Sequence, residues 1–111
     1  MSEPAGVSLR LDKWLWFARL ARTRSLAAKL CLEGRVTLGA RVLKPGHPVR
    51  VGDCITLVHG RMQRRLVVLA LGARRGPASE ARGLYAEPEP PIPIASAEAA
   101  WTPLLDEEYP A

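Results

Sequence analysis

The apolar positions fall into two regimes that change at Gly34. Before it, Leu11, Trp14, Leu15 and Ala18 recur at i, i+3, i+4 and i+7, one stripe of a helix. Ser8 is the expected N-cap, and residues 1–7 ahead of it read as a loose arm. The opposite face carries Arg10, Lys13, Trp16 and Phe17. A break falls near Ala21 and Arg22. Thr23 is placed to cap a second helix, from about Arg24 to Glu33, whose inner face is Leu26, Ala27, Leu30 and Cys31. Gly34 stops it, because glycine accepts left-handed dihedrals without steric cost.

After Gly34 the runs are short and rich in β-branched residues or leucine: Val36, Leu38, Val42, Val49, Val51, Ile55, Leu57, Val67 and Leu69. Gly39-Ala40 suits a two-residue hairpin turn with glycine first. Pro45-Gly46 and Gly52-Asp53 mark further turns, and Gly60 to Arg64 reads as a polar hairpin tip. The run Leu66–Leu71 is almost wholly apolar, so it is expected in the middle of a sheet. Pro77, Ser79 and Glu80 can open a short helix that packs Leu84 and Tyr85 back on the body. From Glu87 onward the chain is acidic and proline-rich, the composition of an extended linker. The apolar residues scattered over Trp101–Tyr109 could dock. The expected architecture is α+β: two N-terminal helices packed on a small antiparallel or mixed curved sheet, with an extended C-terminal tail. It divides into a body over 8–72, a short packing segment over 73–87, and an acidic flexible tail over 88–111.

Charge sharpens this picture. The 111 residues carry a net charge of +5. All 16 Lys and Arg lie within residues 1–82 with only five acids, a balance of +11, whereas residues 83–111 hold six acids and no base, a balance of −6. A basic body with an acidic tail is the pattern of a polyanion binder. Thirteen of the bases are Arg, which can hold a phosphate through two parallel hydrogen bonds. The tail either folds over the basic surface and competes with RNA or serves as a solubilising extension; the second is the simpler expectation.

Cys31 and Cys54 make no C-x-x-C pair, and His47 and His59 are not at ligand spacing from them. Both thiols are expected buried and reduced. No metal site, cofactor or catalytic residue is expected: the chain shows no nucleophile–base pair and no Gly-rich phosphate loop. Met1–Ser8 carries an acid, a proline and no apolar stretch, and no run nears membrane-spanning length. A cytoplasmic protein without membrane contact is expected, and nothing demands more than a monomer.

The bases crowd the helix pair. Arg10, Lys13, Arg19, Arg22, Arg24 and Lys29 are followed by Arg35 just past its end, and Arg41 and Lys44 extend the surface along the next hairpin. Arg22-Thr23-Arg24 sets two guanidiniums and a hydroxyl at a helix N-terminus, where the dipole also favours a phosphate. Trp16 and Phe17 could stack on an unpaired base or pack under the sheet or the 77–85 segment. Packing is favoured, because small domains need large aromatics in their cores, and Trp16 is kept as the stacking candidate. Trp14 is assigned to the core.

The ordered motifs Arg10-Leu11-Asp12-Lys13-Trp14-Leu15-Trp16, Ala18-Arg19, Thr23-Arg24-Ser25-Leu26-Ala27, Glu33-Gly34-Arg35-Val36, Lys44-Pro45, Val49 and Gly52-Asp53 resemble the alpha-L RNA-binding motif. This is the domain named for the fourth protein of the small ribosomal subunit. Trp14 with Trp16, the run Arg74-Arg75-Gly76-Pro77-Ala78-Ser79-Glu80-Ala81, and Leu84-Tyr85 are similar to the bacterial heat-shock protein 15 family. The resemblance covers roughly residues 8–87.

It implies an RNA surface along the helix pair and adjoining hairpin, with Arg10, Lys13, Arg19, Thr23, Arg24, Arg35 and Lys44 as contacts. The implied partner is the large ribosomal subunit, its ribosomal RNA and the tRNA of a stalled nascent chain, with less selective binding of other RNA and DNA. The alternative is an accessory module that delivers RNA to a separate modifying enzyme. Three positions depart from the family pattern: Gly39-Ala40 stands for the usual Asn-Gly, Pro45-Gly46 for Pro-Ser, and the tail is acidic where some relatives carry a long basic helix.

Overall fold

The computed structural model describes residues 7–94. The expected arm over 1–7 falls almost entirely outside that range, as does the stretch Trp101–Tyr109. The α+β architecture is as the residue pattern implies. Two short helices, α1 (Leu11–Phe17) and α2 (Arg24–Leu32), pack against each other and over a sheet that forms the second half of the body.

The start of α1 differs from expectation. Ser8 does not cap it. Leu9–Arg10 form a strand, β1, that pairs antiparallel with Pro48–Val49. The first free amides of α1 are met by backbone carbonyls instead: Leu11 N donates to His47 O at 2.9 Å and Asp12 N to Pro45 O at 3.0 Å. A helix needs acceptors for its first amides, and a turn brought in by tertiary pairing supplies them as well as a side chain does. The consequence is mechanical: the 45–47 turn is mounted on the end of α1.

Both helices end in the same Schellman motif. In α2 the left-handed residue is Gly34 (φ +77), as expected, with Gly34 N on Cys31 O and Arg35 N on Leu30 O, each at 3.0 Å. In α1 the position is filled by Arg19 (φ +59), with Arg19 N on Trp16 O and Leu20 N on Leu15 O. The Thr23 cap forms: its Oγ1 accepts from Leu26 N at 3.0 Å.

The remaining strands are β2 (Val36–Leu38), β3 (Arg41–Val42), β4 (Pro48–Val49), β5 (Cys54–His59), β6 (Met62–Val68), β7 (Tyr85–Ala86) and β8 (Ile92–Pro93). The main sheet runs β3-β2-β5-β6-β7, and β8 pairs the other end of the same edge of β6. The β2–β3 hairpin turns on Gly39 (φ +64) and Ala40, with Leu38 opposite Arg41. The β5–β6 tip is tighter than expected. Only Gly60 and Arg61 form the turn, and pairing resumes at His59 opposite Met62. β6 is central, as its apolar run implies, but Leu69 leaves the sheet and is exposed. Short helix α3 (Ala78–Ala81) and the 3-10 turn Arg82–Leu84 return Leu84 and Tyr85 to the body.

The core joins Leu11, Trp14, Leu15 and Phe17 of α1, Ala27, Leu30 and Cys31 of α2, and Val36, Val49, Ile55, Leu57, Leu66 and Val68 of the strands. Trp14 is fully buried, and its Nε1–H donates to Ala70 O at 2.9 Å. Phe17, on the outer face by periodicity, is also buried, because the 69–85 return closes over that side.

Two expectations change. The chain after Glu87 is laid on the sheet before it leaves the described range. Glu87 takes two 2.8 Å hydrogen bonds from Arg64, β8 pairs with Met62 and Gln63, and Ile94 is buried. The Arg64 partner holds the Glu87 carboxyl below its usual range, against a smaller opposing effect of burial. Of the two thiols, Cys31 is buried and Cys54 is exposed. Strand parity explains this: Ile55 and Leu57 point inward, so Cys54 points out. Burial, followed by the charge of Asp12, pushes the Cys31 thiol up to about 11. A thiol reagent should therefore modify one cysteine of the native protein at neutral pH and both in denaturant, with Cys54→Ser abolishing the native reaction. Fast reaction of two thiols in the native state would contradict the packing at Cys31.

Among the described residues, no helix is long and apolar enough to cross a membrane. Among the same residues, no three His, Cys, Asp or Glu are gathered as metal ligands.

Candidate nucleic-acid interface

The charged surface is organised around an acid. Asp12 sits in the first turn of α1 and is 4% exposed. Arg10 grips it with two hydrogen bonds, Nε to Oδ1 at 3.2 Å and Nη2 to Oδ2 at 3.0 Å, and Arg24 Nη2 lies 3.6 Å from Oδ1. Burial opposes charge on Asp12. The Arg10 hydrogen bonds, the charges of Arg10 and Arg24 and the Lys13 amide outweigh it and hold the carboxyl below its usual range. One buried carboxylate thus anchors two guanidiniums, one from the end of β1 and one from α2, whose outer sides stay in solvent.

The Arg10 guanidinium also lies over Gly46, 3.5 Å from where a Cβ would stand. From there the surface continues into an open depression of about 440 Å³ lined by Arg41, Val42, Lys44, Gly46, His47 and Pro48. Gly46 therefore lies directly under a cation. Arg41 and Lys44 are exposed, as is Arg22 on the inter-helix turn, and none of the three has an acidic partner among the described residues. The Thr23 hydroxyl is engaged as the α2 cap, and its own proton remains available to an acceptor.

Six of the sequence candidates thus lie along one tract: Arg10, Arg22, Thr23, Arg24, Arg41 and Lys44. The others lie elsewhere. Lys29 and Arg35 flank Glu33, at 4.0 and 3.0 Å, on the far side of α2. Arg19 donates Nε to Gly76 O at 2.7 Å, which helps to hold its left-handed backbone. Lys13 lies 5.6 Å above the Phe17 ring. Trp16 is half-buried between Phe17, at 5.8 Å between ring centroids, and the Arg75 guanidinium, 5.6 Å from its ring. A base has only the remaining edge of Trp16 to meet.

Two residues have roles that were not expected from the sequence. In the sequence Asp12 is one of five acids in the basic body and a member of the Arg10–Trp16 motif; the spacing Arg10-x-Asp12 is the available signal. Arg75 donates to the carbonyls of Trp16 and Ala21, and so pins the end of α1 and the turn that presents Arg22. No local pattern announces a contact made across more than fifty residues.

Helix pair, mounted turn and first hairpin are the parts that residues 9–55 share with the S4 domain family, which they match. The class is therefore an α+β module of S4 type. Over 87 residues the chain is 41% identical to heat shock protein 15 of Escherichia coli strain K12, a match covering 78% of this chain and 65% of that protein's length. The solved trimeric heat shock protein 15 of Vibrio cholerae resembles it with a TM-score of 0.71 and 34% identity, over 86% of this chain and 95% of that one. The chain belongs to the heat shock protein 15 family. It is also 40% identical over 53 residues to the RQC P-site tRNA stabilizing factor of Halalkalibacterium halodurans, 48% of this chain and 60% of that protein.

Proposed function

We propose that this protein is a non-catalytic, cytoplasmic RNA-binding factor that associates with the large ribosomal subunit in heat-shock or translation quality control. Its targets are ribosomal RNA and the tRNA of a stalled nascent chain. The observation that carries this reading is the tract built on Asp12, in which Arg10, Arg24, Arg41 and Lys44 are set in one surface by rigid elements. Cations fixed in this way match a backbone of phosphates, with selectivity left to shape. The names of the relatives agree with it: one is a heat shock protein, the other a factor that stabilises P-site tRNA. Binding to DNA would follow from the same electrostatics without selectivity. The monomer expected from sequence has no counterpart in the Vibrio cholerae relative, which is trimeric.

The test is sedimentation of tagged protein from lysate through sucrose gradients at low and moderate salt. Co-migration with free large subunits that survives moderate salt is the expected result. Protein that stays at the top of the gradient would overturn the ribosomal reading and leave the accessory module that supplies RNA to another enzyme.

A further inference from the structure

The flank of α2 turned away from Asp12 holds a second, differently built depression. Leu26, Lys29, Leu30 and Glu33 fall at i, i+3, i+4 and i+7 along that flank, roughly opposite Arg24, Ala27 and Cys31. With Arg35, the β5–β6 tip His59-Gly60-Arg61 and Ile94 they enclose about 330 Å³. The floor is aliphatic, from Leu26, Leu30 and Ile94. Among the described residues the rim is cationic, with Lys29, Arg35, Arg61 and His59 facing one acid, Glu33.

Arg61 is the informative residue. It occupies the second position of a two-residue turn in which both residues have positive φ, +62 at Gly60 and +67 at Arg61. Glycine or asparagine is the stable choice there, and an arginine costs about 1 kcal/mol or more. The other left-handed arginine, Arg19, is held by a hydrogen bond to Gly76. Arg61 has no side-chain partner among the described residues, although its carbonyl accepts from Ile94 N at 2.8 Å. A strained backbone that carries a free cation at the mouth of an apolar cleft is explained by what that cation can hold.

We propose that this depression is a second RNA contact that takes one unpaired nucleotide. Its phosphate lies on Arg61 and Lys29, and its base on Leu26, Leu30 and Ile94. The inference rests on the RNA-binding reading above and adds to it a site for single-stranded RNA, on the opposite flank of α2 from the Asp12 tract. The size suits a small-molecule cleft, and a base presented in a loop or at an end is the form in which RNA offers such a group.

The full-length protein, labelled at leucine and isoleucine methyls, is titrated with a short single-stranded RNA. The methyl signals of Leu26, Leu30 and Ile94 should shift upfield under the ring current of a base, which attraction at a distance does not produce. Arg61→Gly should weaken binding about three- to tenfold and lower the slope of log affinity against log salt by roughly 0.7. Because glycine suits φ +67, this variant should melt at or above the temperature of the parent, so a loss of binding cannot be a loss of fold.

Unmoved methyls and unchanged affinity in Arg61→Gly, with weaker binding in Lys44→Gln, would overturn the pocket and leave the RNA reading intact. Absence of RNA binding by the parent protein would remove both. Nuclear Overhauser contacts from Trp101 to the Leu26 and Leu30 methyls in the free protein, undisturbed by RNA, would assign the cleft to the chain's own acidic segment and overturn the proposal.

Discussion

Trp14→Ala should cost about 3–5 kcal/mol, the range for removing a large aromatic from a core. It should lower the melting temperature by something on the order of 20 °C for a domain of this size. Against a typical total of about 5–15 kcal/mol, that removes much of the stability. The effect is large because Trp14 does two things. It is completely buried between α1 and the strands, so its removal opens a cavity. Its Nε1–H also meets the carbonyl of Ala70, just where the chain leaves β6 and begins its return over α1. Trp14→Phe separates the two contributions: most of the ring stays, the Ala70 carbonyl loses its donor, and the cost should fall to about 1–3 kcal/mol. Thermal melts followed by far-ultraviolet circular dichroism check both. A fall of only a few degrees for Trp14→Ala would show that the α1 packing described above does not hold the fold together.

Neutralising the Asp12 tract should have the largest effect on binding. In Arg22→Gln/Arg41→Gln/Lys44→Gln, three exposed cations without an acidic partner among the described residues are lost with little change to the core. Each engaged phosphate releases about one counterion, so the slope of log affinity against log salt should fall by roughly two to three. At low salt the affinity for structured RNA should drop about a hundredfold, near 1 kcal/mol per contact. Arg10 and Arg24 are left in place because both hold Asp12, and their loss would mix binding with folding. The control is Arg74→Gln/Arg82→Gln on the 74–82 segment, both exposed and outside the tract. If the control loses as much affinity and slope as the triple variant, the protein binds through net charge alone and the organised surface has no special role.

The two arginines with left-handed or long-range roles show where local pattern stops being informative. Arg19 sits where α1 ends, a position for which glycine is the usual signal. Arg75 lies in the short packing segment with no local sign of a partner, yet its guanidinium bonds the carbonyls of Trp16 and Ala21. The nine cations and Thr23 singled out by sequence look alike locally. Folding places five of the cations and Thr23 on the Asp12 tract, two cations across α2, one on Gly76 and one over Phe17, because 3.6 residues per turn sends neighbouring side chains to different flanks.

What the sequence determined by itself was everything encoded within a few residues. The helical stripe, the Thr23 cap, the Gly34 stop, the Gly39 hairpin and the return of Leu84 and Tyr85 follow from periodicity and turn chemistry. The separation of positive body from acidic tail needs only counting. Tertiary structure decided the rest, because each remaining feature needs two distant segments to meet. The α1 start depends on carbonyls more than thirty residues away, which made the Ser8 cap unnecessary. Strand parity within the sheet turned Cys54 outward, and the free edge of β6 accepted β8 and drew Glu87 onto Arg64 and Glu89 onto Arg65. The carboxylate of Asp12 became an anchor for two helices because packing removed it from water and left arginine as its nearest partner.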